Sequence, residues 1–199
     1  MVKLVNQTIF SSKIKEKKLY IFSANDIRLL FGVSAVAASA LLYRYKKRGF
    51  ILQLKRGFYV FPDALPPDVY VANKLYSPSY LSLEFALSYH GVIPETVYEI
   101  TSVTTKATRR FEALEKIFSY RRVTKKVFTG YTIQKQGGFS FAIAEPEKAF
   151  VDLTYFRLRT KKKPLARFDK TKINPVKALL YARLFQNKKL LGIIKTTLK

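Results

Sequence analysis

Ser23-Ala24-Asn25-Asp26, Gly32-Val33-Ser34 and Lys55-Arg56-Gly57 punctuate the stretch that decides how this chain folds. Ser23 or Asn25 can accept hydrogen bonds from the free amides of a helix start, and Asp26 suits the positive end of the helix dipole. The spacing predicts a short helix over 25–31, with Ile27, Leu30 and Phe31 on one side. Gly32 supplies a tight turn, Val33 an apolar plug, and Ser34 a cap for a second helix over 35–48. With Val33 as anchor, Ala38, Leu41, Leu42 and Tyr45 recur at helical spacing and form the buried face. Lys46, Lys47 and Arg48 suit the negative end of that helix, and Gly49 closes it.

Two β-rich runs follow, Phe50-Ile51-Leu52-Gln53-Leu54 and Phe58-Tyr59-Val60-Phe61, and the basic turn between them makes a hairpin. Helix, tight turn, helix and basic hairpin is the order of a winged helix-turn-helix. In that fold the second helix lies in a DNA major groove and the hairpin is the wing. The expected DNA-facing residues are Ser34, Ala35, Ser39, Tyr43, Arg44, Lys46, Lys47, Lys55, Arg56 and Tyr59. The outward positions near the start of the second helix are Ala35, Val36, Ser39, Ala40 and Tyr43. None is an Arg, Asn or Gln able to make bidentate contacts to a base edge. Ser39 and Tyr43 can hydrogen-bond, and Ala or Val can touch a thymine methyl. Phosphate contacts are therefore expected to dominate affinity, with sequence choice leaning on groove shape and the wing.

The charge distribution points the same way. The 199 residues carry 37 Lys and Arg against 13 Asp and Glu, a net +24, with 48% apolar residues to build a core. Residues 1–61 hold 12 basic and 2 acidic side chains, residues 62–156 hold 11 and 10, and residues 157–199 hold 14 and 1. The shifts fall at Pro62-Asp63-Ala64-Leu65-Pro66-Pro67 and at Thr160-Lys161-Lys162-Lys163-Pro164. Two strongly basic ends imply a polyanionic partner, nucleic acid before an acidic membrane surface. The absence of Cys and the single His exclude disulfides, thiol chemistry and Cys-based zinc sites, and no cofactor is expected. The longest weakly polar run, 29–42, is shorter than the ~18 residues of a membrane span. The start of the chain, with Lys3, has no signal-peptide pattern, so a cytoplasmic location is expected.

The middle of the chain reads as mixed α/β. Ser82 is placed to cap a helix over 83–90 ended by Gly91; 97–103 and 117–123 are strand-like. Gln136-Gly137-Gly138 joins strands 131–133 and 139–143 into a hairpin. Glu145-Pro146-Glu147 opens a helix, with Ala149, Phe150, Leu153 and Phe156 on its buried side. Lys148 and Asp152 form an i,i+4 pair worth a few tenths of a kcal/mol. Asn174-Pro175 starts a tail of two helices, one striped by Val176, Leu179, Leu180, Arg183 and Leu184, the other by Leu190, Leu191, Ile194 and Leu198. The acids at 145 and 147 lack the spacing to Lys148 of a metal-dependent nuclease. His90 beside Gly91 has no marked nucleophile. No enzyme is expected.

Several strings add a resemblance. Phe22-Ser23-Ala24-Asn25-Asp26-Ile27, Gly32-Val33-Ser34 and Leu54-Lys55-Arg56-Gly57-Phe58-Tyr59 open the pattern. It continues through Leu75-Tyr76-Ser77-Pro78-Ser79-Tyr80-Leu81-Ser82-Leu83-Glu84, Ala144-Glu145-Pro146-Glu147-Lys148-Ala149, Asp152 and Tyr155. Over about residues 22–155 the chain resembles AbiEi-type antitoxins, transcriptional regulators of viral defence systems. The resemblance implies an α+β protein: a winged helix-turn-helix at 1–61, a mixed α/β effector domain at 67–160, and a basic helical tail at 161–199 packed on it. It also implies a repressor of its own promoter, bound to inverted repeats in double-stranded DNA. Such a repressor doubles as the antitoxin of a type IV pair, in functional rather than stable contact with a nucleotidyltransferase-like toxin. A sequence-tolerant, nucleic-acid-binding architectural protein with no toxin is the alternative. The sequence leaves oligomeric state open.

Overall fold

The computed structural model describes residues 6–199, so the expectation for the first residues, Lys3 included, lies outside the described part. The chain is mixed α and β and divides into two compact units, one ending at Pro67 and the other running from Asp68 to Lys199.

The first unit comprises α1 (Gln7–Glu16), α2 (Ala24–Phe31), α3 (Ala35–Lys47), β1 (Leu52–Lys55) and β2 (Phe58–Val60). Ser23 and Asp26 form a reciprocal capping box at the start of α2, and Ser34 Oγ accepts from the Ala37 amide at 3.2 Å at the start of α3. Between them Gly32 takes φ +64°, and the axis bends by 115° from α2 to α3. Ala38, Leu41, Leu42 and Tyr45 are buried, and Val33 packs against the same core.

Helix α1 has no counterpart in the sequence expectations, yet it fills the centre. Phe10 is fully buried and meets Tyr45 at 4.9 Å, Phe31 at 5.7 Å, Phe22 at 5.8 Å and Phe61 at 6.0 Å between ring centroids. The Phe31 ring is stacked and the other three are edge-to-face, and pairs of these kinds add roughly 0.5–1.5 kcal/mol each beyond the apolar area they bury. The strands β1 and β2 pair antiparallel, and Phe22 extends them through backbone bonds of 3.0 and 2.9 Å with Tyr59.

The second unit is built on α4 (Asp68–Leu75), β3 (Ser79–Leu81), α5 (Leu83–Tyr89), β4 (Glu99–Thr104), β5 (Arg109–Ala113), β6 (Lys116–Arg122), β7 (Tyr131–Gln136), β8 (Phe139–Ala144), α6 (Pro146–Arg159), α7 (Pro175–Leu184) and α8 (Lys188–Thr197). Its six strands run in the order β5-β6-β4-β3-β8-β7. The β3–β8 and β4–β6 pairs are parallel, and the remaining neighbours are antiparallel. In register, Tyr80 lies across from Val103 and Val103 across from Arg121, whereas Leu81, Ser102 and Tyr120 form the adjacent row. Neighbouring residues on a strand face opposite sides of the sheet. The Tyr120 hydroxyl donates to Ala72 O of α4 at 2.7 Å, and the Tyr80 hydroxyl donates to Asp152 of α6 at 2.9 Å. Helices α4 and α6 therefore cover opposite faces.

Four expectations need correction here. Ser82 stands at the start of α5 but makes no cap; its hydroxyl donates to Asp152 Oδ2 at 2.9 Å instead. Helix α6 is buried on every side over Glu147–Thr154 rather than along one stripe, and Phe156 is only partly buried. Lys148 and Asp152 are a completely buried ion pair, not a solvent-screened one. A fourth concerns α7: its buried residues are Ala178 and Ala182, while Val176 and Leu180 of the expected stripe are exposed at 69% and 54%. Small side chains let α7 approach its neighbours closely, and the larger ones turn outward.

Candidate nucleic-acid interface

Helix α3 presents two faces with opposite chemistry. The buried side is apolar, and the outward side carries Ala35, Val36, Ser39, Ala40, Tyr43 and Arg44, all exposed. Val36 and Tyr43 are 80% and 65% exposed, unusually open for side chains of their size. Ser34 is exposed as a residue, but its oxygen is committed to the cap. Any contact it makes with a ligand uses the remaining lone pair or the hydroxyl proton.

The last turn of α3 is cationic. Arg44, Lys46 and Lys47 are exposed, and Arg48 caps the helix as its backbone amide donates to Arg44 O. Lys46 Nζ donates to Gln53 Oε1 at 2.6 Å, which ties the end of α3 to β1. Burial raises the pKa of the Tyr45 hydroxyl on the inner face, and the charges of Arg44 and Arg48 oppose that rise.

The hairpin brings the second group of expected residues. Gly57 adopts φ +85° at the tip, a conformation that leaves glycine the natural occupant. Arg56 beside it is exposed, and the Lys55 ammonium lies 4.4 Å from the centroid of the Phe58 ring. Tyr59 is placed differently from the rest: it is half-buried, and its ring stacks on Phe22 at 6.4 Å. It holds β2 against the core more than it reaches outward. The expected residues thus divide into exposed groups on α3 and at Arg56, a half-buried Lys55 against Phe58, a cap at Ser34, and a packing residue at Tyr59.

In the second unit the buried titratable residues around the start of α6 serve packing. Lys148 donates to Asp152 Oδ1 while Tyr80 and Ser82 both donate to Oδ2, and the Lys148 ammonium lies 4.9 Å from the Phe185 ring centroid. Burial drives the Asp152 pKa up, against the opposing pull of Lys148, Ser82 and Tyr80. Glu147 Oε1 accepts from the Asn174 amide at 3.1 Å, and Glu145 accepts from the Tyr181 hydroxyl and pairs with Lys177 at 3.0 Å. Both acids thus clamp the start of α7 onto the start of α6. His90 Nε2 hydrogen-bonds to Ala144 O at 2.8 Å. Among the described residues no three His, Asp or Glu side chains gather where they would hold a metal ion. No single helix among them is long and apolar enough to cross a membrane.

Residues 13–62 match the family model described as "Transcriptional regulator, AbiEi antitoxin". The match supports the resemblance read from the sequence. It spans α2, α3 and the hairpin with only the last turn of α1, and residues 63–199 lie outside it. No curated protein matches the chain.

Proposed function

We propose, from an N-terminal unit that matches the AbiEi antitoxin regulators, that this chain is a DNA-binding transcriptional repressor and the autoregulating antitoxin of a type IV pair. Its N-terminal unit acts as a winged helix-turn-helix. Helix α3 enters the major groove with Ala35, Ser39 and Tyr43 toward the bases. Arg44, Lys46, Lys47, Lys55 and Arg56 take phosphates, and Ser34 and Tyr59 hold the reading elements in place. The observation that carries this reading is the family match over the same residues whose exposed face combines a 115° helix pair with a basic hairpin tip. The domains divide as a DNA-binding head, an effector domain and a tail docked on it. The protein works in the cytoplasm beside its promoter, and it counters a nucleotidyltransferase-like toxin without a lasting complex.

Fluorescence anisotropy with a duplex from upstream of the gene tests the reading. Each phosphate neutralised adds about 0.9 to the slope of log affinity against log salt, so binding weakens by orders of magnitude between about 50 and 200 mM. A flat salt response overturns it. The architectural alternative draws on the absence of a bidentate base reader on α3. Equal affinity for the upstream duplex and for a scrambled one favours that alternative; a footprint over inverted repeats favours the repressor.

A further inference from the structure

The end of β6 and the last turn of α6 meet at a cleft inside the second unit. It encloses about 350 Å³ and is lined by Thr108, Arg121, Arg122, Phe156, Arg159 and Thr160. Three of these six are arginines and none is acidic. The sheet register explains how they converge. Arg121 shares the face of Tyr80 and Val103, which α6 covers, and Arg122 is the final residue of the strand. The Arg122 amide donates to Thr108 Oγ1 at 3.3 Å, which holds the strand end to the loop after β4. Neighbouring Arg157 is engaged elsewhere, with Nε donating to Lys163 O at 2.7 Å, while the Arg159 guanidinium carbon sits 5.7 Å from the Tyr155 ring centroid.

Among the described residues Arg121, Arg122 and Arg159 make no ion pair, in contrast to Arg110, which pairs with Glu112 at 2.6 Å. Like charges lining one concavity without a counter-ion repel one another, and an anion relieves that repulsion. Guanidinium forks match the geometry of phosphate oxygens, and Phe156 adds an apolar wall. A concave cleft of this volume takes a compact charged group with a ring-sized attachment better than the convex ridge of a duplex backbone.

We propose that this cleft binds a terminal phosphate group, a phosphomonoester, carried by a mononucleotide or by the phosphorylated end of a nucleic-acid strand. The binding is non-covalent and independent of the repressor reading, which concerns the other unit.

The test uses the full chain at constant ionic strength and two probes. Calorimetry with adenosine 5′-monophosphate examines the free nucleotide. Anisotropy with a single-stranded octamer, 5′-phosphorylated or 5′-hydroxyl, examines the strand end. Arg121→Gln with Arg122→Gln removes two exposed charges from the cleft. Lys188→Gln with Lys189→Gln removes two exposed charges from α8. The expected result is saturable binding of the monophosphate, or a preference for the 5′-phosphorylated octamer. The cleft variant weakens either by about tenfold or more, and the α8 variant leaves it within about twofold. Binding of the monophosphate identifies a free nucleotide as the source, and a 5′-phosphate preference alone identifies a strand end. Absence of both, or equal loss in the two variants, overturns the proposal and leaves only diffuse surface charge. Unchanged circular dichroism shows that the cleft variant is folded. A failure here leaves the salt-dependent duplex binding of the first unit untouched, so the two outcomes are separable.

Discussion

In the N-terminal unit Phe10, Ile14, Phe22, Ile27, Leu42, Ile51 and Phe61 fill a core in which, among the described residues, no charged side chain, Ser, Thr, Asn or Gln is buried. In the second unit Lys148, Asp152, Glu147, Ser82, Thr101, Thr104 and Thr154 are all buried and hydrogen-bonded. The difference teaches what each unit can spare. The first keeps its lysines and arginines in water, where they remain available to a polyanion, and its stability rests on apolar packing. The second commits polar groups to its interior, where hydrogen bonds with fixed partners select one arrangement of sheet and helices. Substitutions should accordingly divide: surface changes in the first unit alter duplex binding, and changes to the buried polar groups of the second alter folding.

The largest effect is expected at Lys148. Lys148→Met removes the cation and leaves Asp152 buried with only the hydroxyls of Tyr80 and Ser82. Breaking a buried pair from one side costs about 3–5 kcal/mol. Urea denaturation of the full chain measures it. Adding Asp152→Leu should restore much of the loss, because no uncompensated charge then remains. A single variant within about 1 kcal/mol of the parent would erase the contrast between the two units.

Tyr43 and Ser34 sharpen the comparison from the other side. Tyr43→Ala should cost about 1–3 kcal/mol in binding the preferred duplex and little on a scrambled one. Its melting temperature should stay nearly unchanged, since the side chain is 65% exposed. A fall in melting temperature with unchanged preference would place Tyr43 among the packing residues. Ser34→Ala acts through the cap instead, with a stability loss of about 1 kcal/mol. Ser34→Gly should lose only a few tenths. Equal losses for both would separate the capping bond from the effect of the backbone.

How much of this was legible in the sequence follows the same division. Helices α2 and α3 are amphipathic, so their periodicity, caps and turn glycine fix their bounds to within a residue or so. Tyr43 and Arg56 follow from that periodicity and from the hairpin turn. Helix α1 escaped because its apolar anchors, Phe10 and Ile14, are two among many polar residues; the signal was their i,i+4 spacing behind Asn6, whose side chain caps the helix. Helix α6 starts where its Glu145-Pro146-Glu147 signal places it, but its burial departs from the expected stripe because burial on all sides leaves no polar face to set its phase. A Lys–Asp pair four residues apart looks the same in water and in a core. What distinguishes them is the contact of Asp152 with Ser82, 70 residues away, which no local pattern reports. The arginine cleft is hidden for the same reason, since Arg121 and Arg159 meet only through the packing of β6 and α6. The two alanines that bury α7 were outranked by larger residues in any count of hydrophobicity.

The smallest expected effect lies where the second unit's polar network reaches the surface. Burial pushes the Glu145 carboxyl up, but hydrogen bonds from Tyr181 and Lys177, with the charge of Lys177, outweigh it and leave the pKa below its ordinary value. An acid whose folded pKa is depressed contributes stability that is fully present above its unfolded value. That contribution disappears as pH falls through the folded pKa. Tyr181→Phe removes one donor, so it should reduce stability at neutral pH by about 1 kcal/mol or less for so partly exposed a clamp. Urea midpoints of parent and variant should then converge as pH falls below the ordinary carboxylate range of about 4 and through the lower folded pKa of Glu145, where the group becomes protonated in both. The same substitution should leave duplex affinity unchanged. A constant difference in midpoint from neutral pH down to about 3 would mean that the tyrosine acts through packing alone, and that Glu145 contributes no charge-dependent bond to the clamp between α6 and α7.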